Sequence, residues 1–423
     1  MDLQDMVDRT PPPLDVSQFI AALPQFTRPL RVAAPCVGIH GCGEAMSIMK
    51  VACETNNAFD LQEGYNMCLV QQLLEHGMQR VQIDSILRLG KHTGDLMRVS
   101  LDSLDLPVDI LCCGPPCPPW AGQGSKKNLK DIRAKVFLRI LNWVVVLAHC
   151  GGLLCVVIEN VKGILASWGG CEPAMTCFIR ALQFSVPFFS WSVETLSLVD
   201  YGRPQTRVRT FLRGLRNTIA PSVPRCLPPF GRSALVDALG QFPFTPRHIF
   251  SAQQQENIST YEQKIRHLVD VGHLKLGDVV AIAPDRREGI DVIYNQNICV
   301  NNVPTFTTQN ADVMLLSVSD VVNMVPDDQR KLFRKLTPTE RLTIQGFPAR
   351  LVIPLEPKLT LFASGNAYPP PLIVATLYPL LRAIADSDLD LTTWPPADLP
   401  RLPPAALMKQ FNAMLTARPR VID

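Results

Sequence analysis

The sequence contains no apolar run that approaches the roughly 20 residues a membrane-spanning helix needs. Its first residues, MDLQDMVDRTPPPLD, carry acids and prolines where a secretory signal would carry basic residues before an apolar core. Although there are 13 cysteines, no CxxC pair stands beside a second pair of ligands, which disfavours both zinc and a disulfide framework. We therefore expect a chain without a membrane span or a metal, with most thiols buried in a reducing compartment.

The charge balance is nearly even, with a formal net charge of +3, but the cations are clustered. Residues 203–216 hold five arginines and no acid. Residues 126–139 hold one acid, Asp131, and six cations, which are Lys126, Lys127, Lys130, Arg133, Lys135 and Arg139. Such clusters either bind a polyanion or form a solvated surface, and the count alone leaves both interpretations open.

Short apolar runs alternate with helix-like segments between residues 31 and 215, as in RVAAPCVGI, VDILCCG, LLCVVIEN and SWSVETLSLV. This alternation predicts an α/β fold with a parallel sheet covered by helices. In DIRAKVFLRILNWVVVLAHC apolar residues recur every four positions from Ile132 to Val144, which predicts a crossover helix. The expected segments are an arm (1–30), a main domain (31–215), a smaller irregular domain (216–330), a return to the main domain (331–385) and a proline-rich tail (386–423).

A cysteine surrounded by prolines follows the second apolar run, in CCGPPCPPWAGQGS. In open parallel sheets functional groups lie at the carboxyl ends of strands. The prolines around Cys117 restrict its backbone and would present the thiol on a stiff loop, as a nucleophile requires. The alternative is a buried cysteine in a proline-rich turn.

Two polar motifs end the next apolar segments. The run VVIENVKG places Glu159 and Asn160 at a strand end, where a carboxylate can bind the edge of a base or, alternatively, cap a helix. In YGRPQTRVRTFLRG the residues Gln205, Arg207 and Arg209 alternate, so that on one extended segment they would share a face. Arginines there can bind a carbonyl oxygen or phosphates, or else form a solvated strand face.

Together these motifs resemble the cytosine-5 DNA methyltransferases. The ordered set covers most of residues 35–385, and it comprises GIHGCG, GPPCPPW, ENV, QTRVR, LTPTERLTIQGFP and GNAYPPPLIVA. The sequence departs from the family pattern at Pro118, Ala121 and Glu44. The resemblance implies a Rossmann-like fold that binds S-adenosylmethionine, with a second, smaller target-recognition domain. It also implies methyl transfer to C5 of a flipped-out cytosine in double-stranded DNA.

Carried onto this chain, the resemblance makes Cys117 the nucleophile that adds to C6 of cytosine. Glu159 would hold N3 and the 4-amino group, Arg209 would bind O2, and Arg207 would support the site. Addition to C6 makes C5 nucleophilic, so covalent catalysis divides one difficult step into easier ones. Contacts with the nucleic acid are predicted for the residues of the two basic clusters nearest these motifs, namely Lys126, Lys127, Lys130, Arg203 and Gln205.

The cofactor site is predicted first from three glycines, Gly38, Gly41 and Gly43, whose spacing differs from GxGxxG and so disfavours a dinucleotide. Glu54 is expected to end the second strand and bind ribose hydroxyls. Asp95 resembles the acid that contacts adenine in the family. The remaining cofactor-binding residues that the resemblance implies are Pro116, Gly365 and Asn366.

Two other functions share these motifs. A transfer RNA cytosine-5 methyltransferase has most of them, whereas a catalytically inactive regulatory homologue need not keep the cysteine, the glutamate and the arginine together. We expect a monomer that works in the nucleus if its source is eukaryotic and in the cytoplasm otherwise. The segment 216–310 should determine the recognised sequence.

Overall fold

The structure, a computed structural model, describes residues 16, 20–36, 38–60, 95–121, 128–167, 172–233, 235, 250–285, 298–306, 312–330, 332–348 and 357–416. Its strands are β1 (Leu30–Pro35), β2 (Cys53–Phe59), β3 (Ile110–Cys113), β4 (Cys155–Val161), β5 (Phe189–Ser197), β6 (Gln205–Thr206), β7 (Val208–Arg216), β8 (Val279–Ile282), β9 (Cys299–Val300), β10 (Val303–Pro304), β11 (Met314–Ser317) and β12 (Phe333–Lys335). Its α-helices are α1 (Gly41–Ile48), α2 (Ala134–Cys150), α3 (Ala174–Ser185), α4 (Ala252–Asp270), α5 (Val318–Val322), α6 (Pro338–Ile344), α7 (Pro357–Asn366), α8 (Pro370–Ala385) and α9 (Ala405–Thr416).

The chain divides into two compact units, which we call the sheet unit and the second unit. The sheet unit comprises residues 15–196, 208–228 and 370–423, and the second unit comprises residues 1–14, 197–207 and 229–369. The boundaries of the predicted segments differ from those of the two units. The QTRVR motif crosses a unit boundary after Arg207, and the predicted tail belongs to the sheet unit.

The sheet unit is built on a six-stranded sheet with the order β2-β1-β3-β4-β7-β5. Strands β2, β1, β3 and β4 pair in parallel, and β7 pairs antiparallel to β4. The predicted α/β fold is therefore confirmed. Since the carboxyl ends of parallel neighbours meet at one edge, this order brings the ends of β1, β3 and β4 together.

The crossover helix α2 buries an apolar face against the core of the sheet unit. Phe137, Ile140 and Val144 are fully buried there. The prediction erred at the start of the helix, because α2 begins at Ala134 and Ile132 before it is 69% exposed.

The predicted tail is part of the fold. Helix α9 packs on α2 and α3, and its Phe411 and Leu415 are buried in the same core as α2. The Trp394 indole Nε1 donates to the Gly152 carbonyl at 2.6 Å. The prolines that precede α9 do not prevent this helix from packing on the core.

An ion-pair cluster lies before β3, away from the carboxyl end of that strand. Asp109 is buried and accepts hydrogen bonds from both Arg28 and Arg31. Arg31 also donates to the Trp394 carbonyl at 3.1 Å. Burial favours the neutral acid, but these hydrogen bonds outweigh it and hold the pKa of Asp109 below its ordinary value. The cluster joins the first strand, the third strand and the C-terminal segment.

The second unit is more regular than its composition predicted. Its antiparallel sheet has the order β12-β11-β8-β9, and one face packs against the long helix α4. That helix begins with a capping box in which Ser251 and Gln254 exchange hydrogen bonds with each other's backbone. Across the described ranges of both units, no helix is long and apolar enough to span a bilayer.

Candidate active site

The cysteine motif forms a tight turn after β3. The backbone N–H groups of Trp120 and Ala121 donate to the Cys117 carbonyl at 3.0 and 3.1 Å. The Cys117 side chain is half-buried, whereas Trp120 is fully buried and contacts Phe137 of α2 edge-on at 5.3 Å between ring centroids. The turn is thus anchored in the core while its thiol stays accessible.

A glycine after β4 allows this turn to pack closely. A Cβ atom added to Gly163 would lie 1.9 Å from the Trp120 carbonyl oxygen, which is far inside contact distance. The turn that carries Cys117 therefore packs so closely on the ENVKG segment that only glycine fits at residue 163. The sequence prediction missed Gly163, although it stands in the motif that contains Glu159.

The end of β4 is tied to the same loop. Asn160 is buried, and its Nδ2 donates to the Pro115 carbonyl at 3.3 Å. Its Oδ1 accepts from the backbone N–H of Val161 at 2.9 Å. Asn160 thus links two neighbouring strand ends, whereas the sequence also allowed a helix-capping role.

Glu159 forms a buried ion pair with Arg209 across the antiparallel β4–β7 pair. The Arg209 Nε lies 2.6 Å from a Glu159 carboxylate oxygen, and both side chains are 8% exposed. Arg209 is opposite Val161 in the register, two residues from Glu159, so the two side chains share one face. The ENV and QTRVR motifs therefore supply one buried ion pair near the carboxyl end of β4.

The other members of QTRVR have different partners, and the segment is not one continuous strand. The chain leaves β6 at Thr206 and enters β7 at Val208, with Arg207 between the two strands. Arg207 is buried, and its Nη2 donates to the Gly365 carbonyl at 3.1 Å and to the Ala367 carbonyl. A cation at the carboxyl end of α7 satisfies carbonyls that the helix leaves unpaired.

Two predicted nucleic-acid contacts are buried in this structure. Gln205 is fully buried, and its Nε2 donates to the Pro304 carbonyl at 3.3 Å. Arg203 is 6% exposed. Neither residue lies on an open surface, and their contact with the nucleic acid stays a prediction.

The basic loop is described in part. Lys126 and Lys127 lie outside the described residues, and Lys130 is exposed. Arg133 is bound to the buried carboxylate of Asp131 at 2.7 Å. Hydrogen bonds to Asp131 raise the pKa of Arg133 above all, and the charge of Cys117 contributes in the same direction. A thiolate at Cys117 and the Arg133 cation therefore favour each other.

Other cysteines in or next to the strands of the sheet are poor nucleophiles. Burial raises the pKa values of Cys36, Cys113 and Cys155, so these thiols stay protonated at neutral pH. Cys117 combines partial exposure with a position at the carboxyl end of β3.

The glycine segment lies at the carboxyl end of β1. Gly38 adopts φ +53° and has open space where a Cβ would stand. Gly41 and Gly43 fall in the first turn of α1, and a Cβ on Gly43 would lie 2.3 Å from the His40 ring. The segment thus requires small residues and leaves room for a ligand beside Gly38.

The acid at the carboxyl end of β2 is Asp60, so the expectation that Glu54 ends this strand is wrong. Glu54 is the second residue of β2, is exposed and pairs in register with Arg31, near the opposite end of the strand. Asp60 follows β2 directly, and its carboxylate accepts a hydrogen bond from the Gly38 backbone N–H at 3.0 Å. Asp60 is therefore the acid placed beside the glycine segment.

The remaining predicted cofactor residues lie in different surroundings. Asp95 caps a one-turn 3₁₀ helix by accepting from the Met97 N–H at 2.9 Å. Pro116 is half-buried in the loop before Cys117. At the end of α7, Gly365 is buried and Asn366 is exposed.

Comparisons with known proteins give a consistent result. A family model described as C-5 cytosine-specific DNA methylase matches residues 85–382. The Type II methyltransferase M.DsaV of Dactylococcopsis salina is 23% identical over 69% of this chain and 74% of its own length. M.HpaII of Haemophilus parainfluenzae is 22% identical over 66% of this chain and 73% of its own length.

Solved structures share the fold. A methyltransferase of Entamoeba histolytica superposes with a TM-score of 0.51 at 15% identity, covering 84% of this chain and 98% of its own. The DNMT2 protein of Spodoptera frugiperda gives a TM-score of 0.50 at 17% identity, covering 83% and 99%.

Proposed function

Because the chain belongs to the C-5 cytosine-specific DNA methylase family, we propose that it methylates C5 of a flipped-out cytosine in double-stranded DNA through a covalent Cys117 adduct. The observation that carries the proposal is the Glu159–Arg209 pair, tied through Asn160 to the loop that presents Cys117. A nucleophile and a paired acid and base at one sheet edge suit addition to an electron-poor ring.

The first step is attack of the Cys117 thiolate on C6. A bond forms between Sγ and C6, the ring double bond moves to C4–C5, and negative charge develops at N3. Glu159 would accept a hydrogen bond from the 4-amino group and, in its protonated form, donate one to N3 as this charge develops. With Arg209 Nε on Glu159 and Nη1 on the Val208 carbonyl, we assign its Nη2 to O2 of the base. These contacts act most strongly in the transition state, as catalysis requires.

S-adenosylmethionine, when bound, supplies the electrophilic methyl group that C5 takes up. The residues at the carboxyl ends of β1 and β2 fit such a donor, because Gly38 leaves open space and Asp60 supplies a carboxylate suited to ribose hydroxyls. Loss of the C5 proton to a base, followed by departure of the Cys117 thiolate, restores the aromatic ring.

The DNA substrate is supported by the family description and by relatives that are named Type II methyltransferases. Transfer RNA remains the alternative substrate. The chain should be expressed in a host free of cytosine methylation, and bisulfite sequencing should be applied to its DNA and, separately, to its transfer RNA. Methylated DNA sites that disappear with Cys117→Ser support the proposal. Methylation confined to transfer RNA would show that transfer RNA, and not DNA, is the substrate.

The covalent step has its own test. Duplex DNA with 5-fluorocytosine at the methylated site lacks a removable C5 proton, so the adduct cannot resolve. Wild type with S-adenosylmethionine should form a complex that survives denaturation, and Cys117→Ser should not. Equal trapping by both proteins would exclude Cys117 as the nucleophile.

A further inference from the structure

Arg203 is a buried cation without a counter-charge in the described part of the chain. Its side chain belongs to a residue that is 6% exposed, and its Nε has no hydrogen-bond partner there. Burial lowers the pKa of Arg203 to about 10, and no described carboxylate opposes that shift. Other buried arginines have partners: Arg209 binds Glu159, and Arg213 binds Glu194.

The backbone around Arg203 is held on both sides. The Gly202 N–H donates to the Gly231 carbonyl at 2.9 Å, and the Val303 N–H donates to the Pro204 carbonyl at 2.7 Å. The N–H of Gln205 closes the turn on the Arg203 carbonyl at 2.8 Å. Pro204 also fixes its own φ. The backbone that carries the Arg203 side chain is thus fixed before any ligand arrives.

Burying an unpaired charge is costly, and an arginine kept in such a place gains most from an anion that enters it. The planar guanidinium matches the oxygens of a phosphate with two parallel hydrogen bonds. Arg203 lies in the second unit, which also contains most of the segment predicted to recognise the target, whereas the glycine segment of the donor site lies in the sheet unit.

We propose that Arg203 is a preorganised phosphate-binding residue that takes one backbone phosphate of the nucleic-acid substrate into the second unit. The proposal rests on the proposed function for its ligand, but it concerns the backbone and not the methylated base.

The proposal predicts opposite effects on stability and on binding when the charge is removed. Arg203→Met keeps a long side chain without the charge, so the free protein should melt about 2–4 °C higher. Its affinity for duplex DNA should fall about tenfold, and the slope of log affinity against log salt should become shallower by about 0.9. Arg203→Lys should keep the slope. Arg232→Met, at an exposed arginine of the same unit, should leave the melting temperature unchanged.

Melting temperatures should be measured without ligand, and binding should be titrated with a duplex, with an RNA hairpin of the same sequence and with S-adenosylhomocysteine. A stabilised Arg203→Met protein with a shallower salt slope and unchanged S-adenosylhomocysteine affinity supports the proposal. A destabilised variant with an unchanged slope overturns it and makes Arg203 structural. A loss confined to S-adenosylhomocysteine also overturns it, since the partner would then be the donor's carboxylate.

The titration with the RNA hairpin tests this proposal separately from the proposed function. A salt slope that depends on Arg203 with RNA but not with DNA keeps the phosphate site and removes DNA as the substrate. Normal DNA methylation by Arg203→Met with an unchanged salt slope keeps the proposed function and removes the phosphate site.

Discussion

The Nε of Arg209 lies 2.6 Å from a carboxylate oxygen of Glu159, and each side chain is 8% exposed. Removing either group takes the ion-pair partner from a buried charge, which costs roughly 3–5 kcal/mol of stability. The pair therefore acts as one unit that fixes two side chains at the edge of the sheet where Cys117 is presented.

We expect Glu159→Gln to lower the single-turnover methylation rate by roughly 10²–10³-fold, because it removes charge stabilisation that develops in the transition state. Affinity for the nucleic acid should change little. Combining Glu159→Gln with Arg209→Met should cost much less than the sum of the two single effects, since the residues share one interaction. Poor binding with normal turnover of the bound complex would contradict this role.

Gly163→Ala should disturb the nucleophile turn without touching the donor site. The added methyl group would lie 1.9 Å from the Trp120 carbonyl oxygen, so the turn that begins at Cys117 must shift. A displacement on the order of 1 Å can cost about 10²-fold in rate. Trapping by 5-fluorocytosine should slow accordingly, while S-adenosylhomocysteine affinity stays the same.

Gly277→Ala is the matched control for that substitution. A Cβ there meets nothing within 4 Å, and it should leave the rate of trapping unchanged. If Gly163→Ala traps DNA as fast as wild type, the close contact does not position Cys117.

The sheet could be predicted because β1, β3 and β4 are apolar runs with motif residues at their ends. The bounds of strand β2 could not be predicted, because its sequence, CETNNAF, lacks that pattern. The structure explains how it is accommodated: Asn57 is buried and exchanges two hydrogen bonds of 2.9 Å with the backbone of Asp105. Sequence reasoning therefore chose Glu54, the first acid after the glycine segment's helix, and missed Asp60.

The partners of the QTRVR side chains could not be predicted for a different reason. Alternation predicts a common face only on a continuous strand, and the strand is interrupted at Arg207. The partner of an arginine can also lie far along the chain, as Gly365 does for Arg207. The residue types at the site were predictable, whereas their partners were not.

Asp60→Asn should weaken S-adenosylhomocysteine binding by about ten- to a hundredfold, because hydrogen bonds to a charged group contribute about 1.5–3 kcal/mol. Glu54→Gln is the matched control, since its exposed side chain lies near the other end of β2, and it should bind normally. Isothermal titration calorimetry measures both. The reverse result, with weak binding only in Glu54→Gln, would restore the assignment made from the sequence.

The Asp109 cluster predicts how stability depends on pH. Burial alone would raise the pKa of Asp109 and is the largest single effect on it. Hydrogen bonds from Arg28 and Arg31 together outweigh burial and hold this pKa below its ordinary value of about 3.9 in the folded protein. A carboxyl group with a lowered folded pKa stabilises the fold above its unfolded pKa. That contribution is lost as the pH falls through the folded value.

Asp109→Asn should therefore lower the free energy of unfolding by roughly 3 kcal/mol at neutral pH, because it leaves two arginines without their carboxylate. The difference from wild type should stay constant down to about pH 4 and narrow at lower pH, as wild-type Asp109 takes up its proton. Urea unfolding at several pH values measures it. Asp386→Asn removes an exposed partner of Arg382, and it should leave the free energy of unfolding almost unchanged. A difference between wild type and Asp109→Asn that widens below pH 4 would show that the charge of Asp109 opposes folding.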